Sequence, residues 1–209
     1  MRDNEYIDRA LSIVEEARYK TGIMEFVSHF FDYWAFKQTN LYQPSEDPEH
    51  KIEELFIRLS DCLAEGARFN PESDIFGRFL SQCQFKNRGT EFYPTPESVA
   101  NLMSQIILNN SEECSNQSDK TYYEPCVGTG VNVIAWLSTM QGKGYKVSEL
   151  TLYLEEIDRV VIKACFMQLM FYFEAINEWP RFISLNCIDS ITRRSNGIAY
   201  VGSGITQSE

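Results

Sequence analysis

Two acidic strand ends and one glycine turn hold the residues in this chain that could do chemistry. Tyr123-Glu124-Pro125-Cys126-Val127-Gly128-Thr129-Gly130 reads as a short strand that closes on a carboxylate, followed by a turn that opens a helix. Glycine lets the backbone approach a ligand closely, and the first turn of a helix presents N–H groups that no helix carbonyl takes. A Gly-x-Gly turn alone is weak evidence, because helix-opening turns often carry glycine. The second piece is Tyr153-Leu154-Glu155-Glu156-Ile157-Asp158, at the end of the next strand. In doubly wound folds an acidic side chain at that place accepts from the two hydroxyls of a ribose. Glu156 suits this better than Glu155, since it comes last before the helix resumes.

The elements that must position these residues follow from periodicity. Residues 5–37 read as helical, with Ile7, Leu11, Val14 and Ala17 at helical spacing and a break at Thr21 or Gly22. Asp47-Pro48-Glu49 opens a third helix, with Pro48 in its first turn. Residues 74–84 form a short fourth. Thr95-Pro96 then caps a helix over Glu97 to Leu108. Beyond it, strands and helices alternate: strand Thr121–Glu124, helix Val131–Met140, strand Leu150–Leu154, helix Asp158–Phe173, strand Phe182–Leu185 and a weak strand Ile198–Val201. That alternation predicts an α/β domain with a parallel, doubly wound sheet. The expected organisation is a helical region over 1–85 and an α/β domain over 86–209.

Composition bounds the function. With 44% hydrophobic and 13% aromatic residues the chain can pack a core. The longest apolar stretch, near Ala164 to Phe173, is interrupted by Gln168 and too short to span a bilayer. With no basic-then-apolar start, the expectation is a cytoplasmic protein that does not engage membranes. Six cysteines lack the paired spacing of a zinc or redox motif, so reduced core thiols are expected, with Cys114 in a polar loop. The net charge is −11, and the only basic clusters are Lys86 with Arg88 and Arg193 with Arg194. Tight DNA binding by this chain alone is therefore disfavoured.

Gly89-Thr90-Glu91-Phe92-Tyr93-Pro94-Thr95-Pro96-Glu97-Ser98-Val99-Ala100 resembles the cofactor-flanking motif of N6-adenine DNA methylases, especially the modification subunit of type I restriction systems. Pro94 is an extra residue in that motif. Glu124 to Gly130 resembles the Asp-Pro-x-Cys-Gly-Thr-Gly of the same family, with Glu for Asp and Val127 inserted before the glycine. Glu155-Glu156-Ile157-Asp158 is similar to its Glu-Ile-Asp/Asn-Pro, and Asn186-Cys187-Ile188-Asp189-Ser190-Ile191 to its Gly-Asp-Thr/Ser-Leu. The resemblance implies a partial Rossmann-like sheet and S-adenosyl-L-methionine as cofactor. It implies that Phe92, Tyr93 and Thr95 border the methionine end, and that Glu124, Gly128 and Gly130 hold the amino-acid portion. Glu156 would take the ribose and Asp189 the adenine amine.

Adenine methylation in that family needs a further Asn/Asp/Ser-Pro-Pro-Tyr/Phe motif, which accepts from the target amine and stacks on the flipped base. No Pro-Pro pair occurs in these 209 residues, and the segment after Val201 reads Gly202-Ser203-Gly204. Two functions follow as expectations. One is a DNA adenine-N6 methyltransferase-like protein, truncated before that motif and completed by another chain, by dimerisation, or as a restriction–modification subunit. The other is a non-catalytic relative acting as a protein-binding or anti-restriction factor. The small sheet would leave an edge that Phe30, Phe31, Trp34 and Phe36 of the N-terminal helices could cover.

Overall fold

Helical periodicity gives way to strand–helix alternation near residue 95, and the fold divides there. A computed structural model describes residues 2–83, 93–109 and 120–203. It forms two compact units, Met1–Pro94 and Thr95–Glu209. Phe92, Lys86, Arg88 and Cys114 lie outside the described residues.

The first unit holds α1 (Arg2–Thr21), α2 (Ile23–Thr39), α3 (His50–Phe69) and α4 (Ile75–Gln82). The expected break falls at Gly22, whose φ of +77° is one that L side chains rarely adopt. Pro48 is not in the first turn of α3. The first helical bonds, from the Ile52 and Glu53 N–H groups, end on the Glu49 carbonyl at 2.8 and 2.9 Å, so the helix starts after it. Asp74 caps α4 by accepting from the Gly77 N–H at 2.9 Å. Phe26, Phe30, Phe31, Phe56 and Phe76 are fully buried or nearly so and pack on one another, with Phe26 and Phe56 centroids 5.1 Å apart. This corrects the expectation that Phe30 and Phe31 cover a sheet edge: both rings are enclosed by Phe56 and Phe76 within the helical unit itself.

The second unit is α/β. It contains α5 (Glu97–Asn109), β1 (Lys120–Glu124), α6 (Val131–Gly142), β2 (Leu150–Glu156), α7 (Arg159–Ile176), β3 (Phe182–Ile188) and β4 (Ser195–Gly202). The sheet order is β1-β2-β3-β4. The first three strands are parallel, with Tyr123 opposite Tyr153 and Tyr153 opposite Ser184. The expected all-parallel sheet is corrected at β4, which runs antiparallel to β3 with Leu185 opposite Tyr200. Only residues 189–194 separate these strands, and a parallel crossover needs about a dozen or more.

Side chains alternate across a strand, so register assigns the faces. Leu152, Leu154, Leu185 and Tyr200 point to one side and are buried. Both α6 and α7 lie there: Trp136 of α6 meets Tyr122 at 4.7 Å, and Phe166 of α7 stacks on Tyr200 at 4.5 Å. Tyr123, Tyr153 and Val201 point to the other side and remain 53%, 43% and 64% exposed. The sheet is therefore wound on one side among the described residues, which is one βαβαβ half of a doubly wound, Rossmann-like fold. α5 packs on α6 through Ala100, Val131 and Ala135, and Ser104 Oγ lies 2.7 Å from Thr139 Oγ1.

Candidate functional site

The carboxyl ends of β1, β2 and β3 lie side by side, and parallel pairing brings their terminal residues together. Glu124 ends β1 and is half-buried, its carboxylate accepting from the Tyr122 hydroxyl at 2.9 Å. The turn beyond it needs its glycines. Gly128 has φ +57° and Gly130 φ +100°. A Cβ at Gly130 would lie 3.2 Å from Cys165 Sγ of α7, so close helix packing also demands glycine there. The inserted Val127 is absorbed into the fold: it is buried, its N–H donates to the Glu155 carbonyl at 2.9 Å, and its carbonyl accepts from the Gly130 N–H at 3.0 Å. From α7, Gln168 Nε2 donates to the Thr129 carbonyl at 2.9 Å.

The two glutamates that end β2 diverge. Glu156 points toward the glycine turn. Its Oε2 accepts from the Gly128 N–H at 3.0 Å, and its Oε1 from the Ile157 and Asp158 N–H groups at 2.8 and 3.0 Å. Glu155 lies on the opposite side of the strand and is 6% exposed. It takes two hydrogen bonds from the Arg193 guanidinium, at 2.7 and 2.8 Å, and one from the Tyr123 hydroxyl at 2.8 Å. The guanidinium holds the Glu155 carboxyl below the usual carboxylate range although burial pushes it up, and the bond to Glu155 raises the Tyr123 phenol.

Helix starts differ in a way that matters for ligands. Asp158 caps α7, accepting from the Val160 and Val161 N–H groups at 2.7 and 3.1 Å. Gly130, at the start of α6, offers no side-chain cap. The leading amides of α6 therefore suit an anionic group. One residue into that helix, the buried Asn132 Oδ1 has no hydrogen-bond partner among the described residues, an acceptor suited to a cationic or N–H group.

Asp189 follows β3. Its Oδ1 accepts from the Ile191 and Thr192 N–H groups at 2.9 and 3.0 Å, and its Oδ2 from the Thr192 hydroxyl at 2.7 Å. The Thr192 hydroxyl and these amides hold its carboxyl below the usual range. Next to it, Ser190 Oγ lies 3.9 Å from the exposed Cys126 Sγ of the glycine turn. Thr95 is half-buried just ahead of α5, whereas Tyr93 is 77% exposed and falls in the first unit. The fold thus gathers Glu124, Gly128, Gly130, Glu156 and Asp189 at one sheet end. Sequence reasoning noted Arg193 only as half of a basic pair and missed Asn132. A contact between residues 38 apart leaves no local signal.

Four other thiols, Cys62, Cys83, Cys165 and Cys187, are buried and in no disulfide, with Cys83 pushed up to about 12 by burial. No group of three metal-ligating side chains occurs among the described residues, and none of their helices is long and apolar enough to cross a membrane.

A one-sided sheet with three parallel strands, a glycine turn after β1 and a carboxylate ending β2 is a Rossmann-like half. A family model described as N-6 DNA Methylase matches residues 72–178, just over half of the chain, and the chain belongs to that family. Among solved structures it is similar to a Listeria monocytogenes protein described as a class I S-adenosylmethionine-dependent methyltransferase, at 10% identity and a TM-score of 0.42. That match covers 87% of this chain, which spans 53% of the other. No curated protein sequence matches the chain.

Proposed function

We propose that this chain binds S-adenosyl-L-methionine at the carboxyl ends of β1 to β3. In this reading it is a DNA adenine-N6 methyltransferase-like protein that does not methylate DNA by itself. The observation that carries the reading is the Glu156 bond to the Gly128 N–H, which joins the acidic strand end to the glycine turn. The residues fit the cofactor. Glu124 and the unpaired Asn132 oxygen suit its ammonium group, and the uncapped start of α6 suits its carboxylate. Glu156 has one acceptor position left for a ribose hydroxyl, and Asp189 one for the adenine amine. Gly128 and Gly130 give the backbone close approach, with Thr95 toward the methionine end. The bound cofactor supplies an electrophilic methyl group.

The net charge of −11 supports a need for a complementing chain, a second copy or a restriction–modification partner to engage DNA. A cytoplasmic location goes with that role. A second reading is a non-catalytic protein-binding or anti-restriction factor. Thermal unfolding with and without cofactor tests the first. At a hundredfold excess over Kd, binding adds about 2.7 kcal/mol and raises Tm by several degrees. An unchanged Tm contradicts cofactor binding. Methyl incorporation into adenine-containing DNA by the chain alone contradicts the claim that it cannot act by itself.

A further inference from the structure

Residues 189–194 connect β3 to β4 and rim the sheet end described above. Their turn is closed internally: the Asp189 N–H donates to the Arg194 carbonyl at 3.0 Å and the Arg193 N–H to the Asp189 carbonyl at 2.8 Å. An ionised carboxylate has about four acceptor positions. In Asp189 three are filled by Ile191 and Thr192, so the direction of the remaining one is set by the turn and not by side-chain rotation.

A closed turn can still swing on its two ends. Arg193 stops that motion by reaching back to the open face of the sheet. Its guanidinium bonds both oxygens of Glu155 on β2, and the Tyr123 hydroxyl of β1 bonds the same carboxylate. One buried side chain thus ties the turn to both strands whose ends frame the glycine loop, and Ser190 touches that loop at Cys126. The Arg193 backbone sits at φ +59°, which a non-glycine residue keeps only when its surroundings hold it. Glu155 points away from Glu156 and is buried, so its place is to hold the loop and not to meet a ligand.

We propose that Arg193 is a positioning residue: clamped to Glu155 and Tyr123, it fixes the turn so that the free acceptor of Asp189 meets the exocyclic amine of the cofactor's adenine. This rests on the cofactor reading above. It goes beyond it by making discrimination of the adenine ring depend on a side chain that touches no ligand.

The test is titration of the full chain with S-adenosylhomocysteine and with its analogue carrying unsubstituted purine, which has hydrogen in place of the amine. Wild type prefers the adenosyl compound about tenfold, the worth of one hydrogen bond to a charged group. Arg193→Ala binds the two almost equally, by weakening the adenosyl compound alone, and its Ile191 and Thr192 amides exchange faster in the ligand-free protein. Glu155→Gln, which keeps the side-chain volume, loses the preference too, and Arg193→Lys restores part of it. An Arg193→Ala protein that keeps the tenfold preference, or that weakens both compounds equally, overturns the proposal and leaves the cofactor reading standing. A wild type that binds both compounds without preference does the same. A wild type that binds neither overturns both.

Discussion

Gly130 carries two constraints at once, a positive φ and a Cβ position against Cys165. Gly130→Ala therefore destabilises the second unit by about 1–2 kcal/mol from backbone conformation alone, with the Cys165 contact adding to it. Urea unfolding followed by the fluorescence of Trp136 checks this. Glu155 gives a prediction in pH. Its folded carboxyl sits below the usual range of about 4.3, so the Arg193 bond contributes fully above that value and is lost as pH falls through the lower folded value. The stability gap between wild type and Arg193→Ala is therefore constant from neutral pH to about 5 and closes below about 4. A gap unchanged at pH 3 contradicts the assignment. The places of Glu124, Glu156 and the two glycines, at strand ends and in a helix-opening turn, were legible in sequence, because these are local patterns. The direction of Glu155 was legible only in part: alternation says that it opposes Glu156, but its partner Arg193 comes from a loop that local pattern does not place.

Among the elements, α7 depends on its cap. Asp158 satisfies two leading amides, and Asp158→Ala costs about 1 kcal/mol by thermal or chemical unfolding. An unchanged midpoint would mean that water replaces the carboxylate. α7 also steadies the glycine turn, since buried Gln168 donates to the Thr129 carbonyl. Gln168→Leu removes that buried bond and costs about 1–3 kcal/mol. Helices and the three parallel strands were legible because each is strongly periodic. β4 was legible as a strand but not in direction. Sequence reading placed strands at 182–185 and 198–201, far enough apart for a crossover. The real strands extend toward each other and leave only a hairpin turn. Likewise, Pro48 marked the approach to α3 but not its first turn, since proline also suits the extended residue ahead of a cap.

At the scale of the molecule, and among the described residues, one βαβαβ half stands with β1 at the end of the sheet order and one face uncovered by its own helices. In a doubly wound fold the second half begins beside that strand. α5 adds an exposed apolar stripe of Val99, Leu102, Met103 and Ile106. The open edge was expected from so small a sheet, but the uncovered face and the α5 stripe were not legible in sequence, because exposure depends on what the rest of the fold covers. With a net charge of −11, the chain alone should bind DNA no tighter than about 10⁻⁶ M near physiological salt, measured by fluorescence anisotropy. Nanomolar binding would place a basic surface where the sequence shows none.

The central claim is that Glu156 and the glycine turn form a cofactor site. Calorimetric titration with S-adenosylmethionine, run on wild type and on Glu156→Ala, tests it most directly. The account predicts micromolar binding by wild type and a loss of at least about tenfold in the variant, the worth of a charge-assisted hydrogen bond. No heat with a folded wild type, or equal affinity in the two proteins, would contradict it.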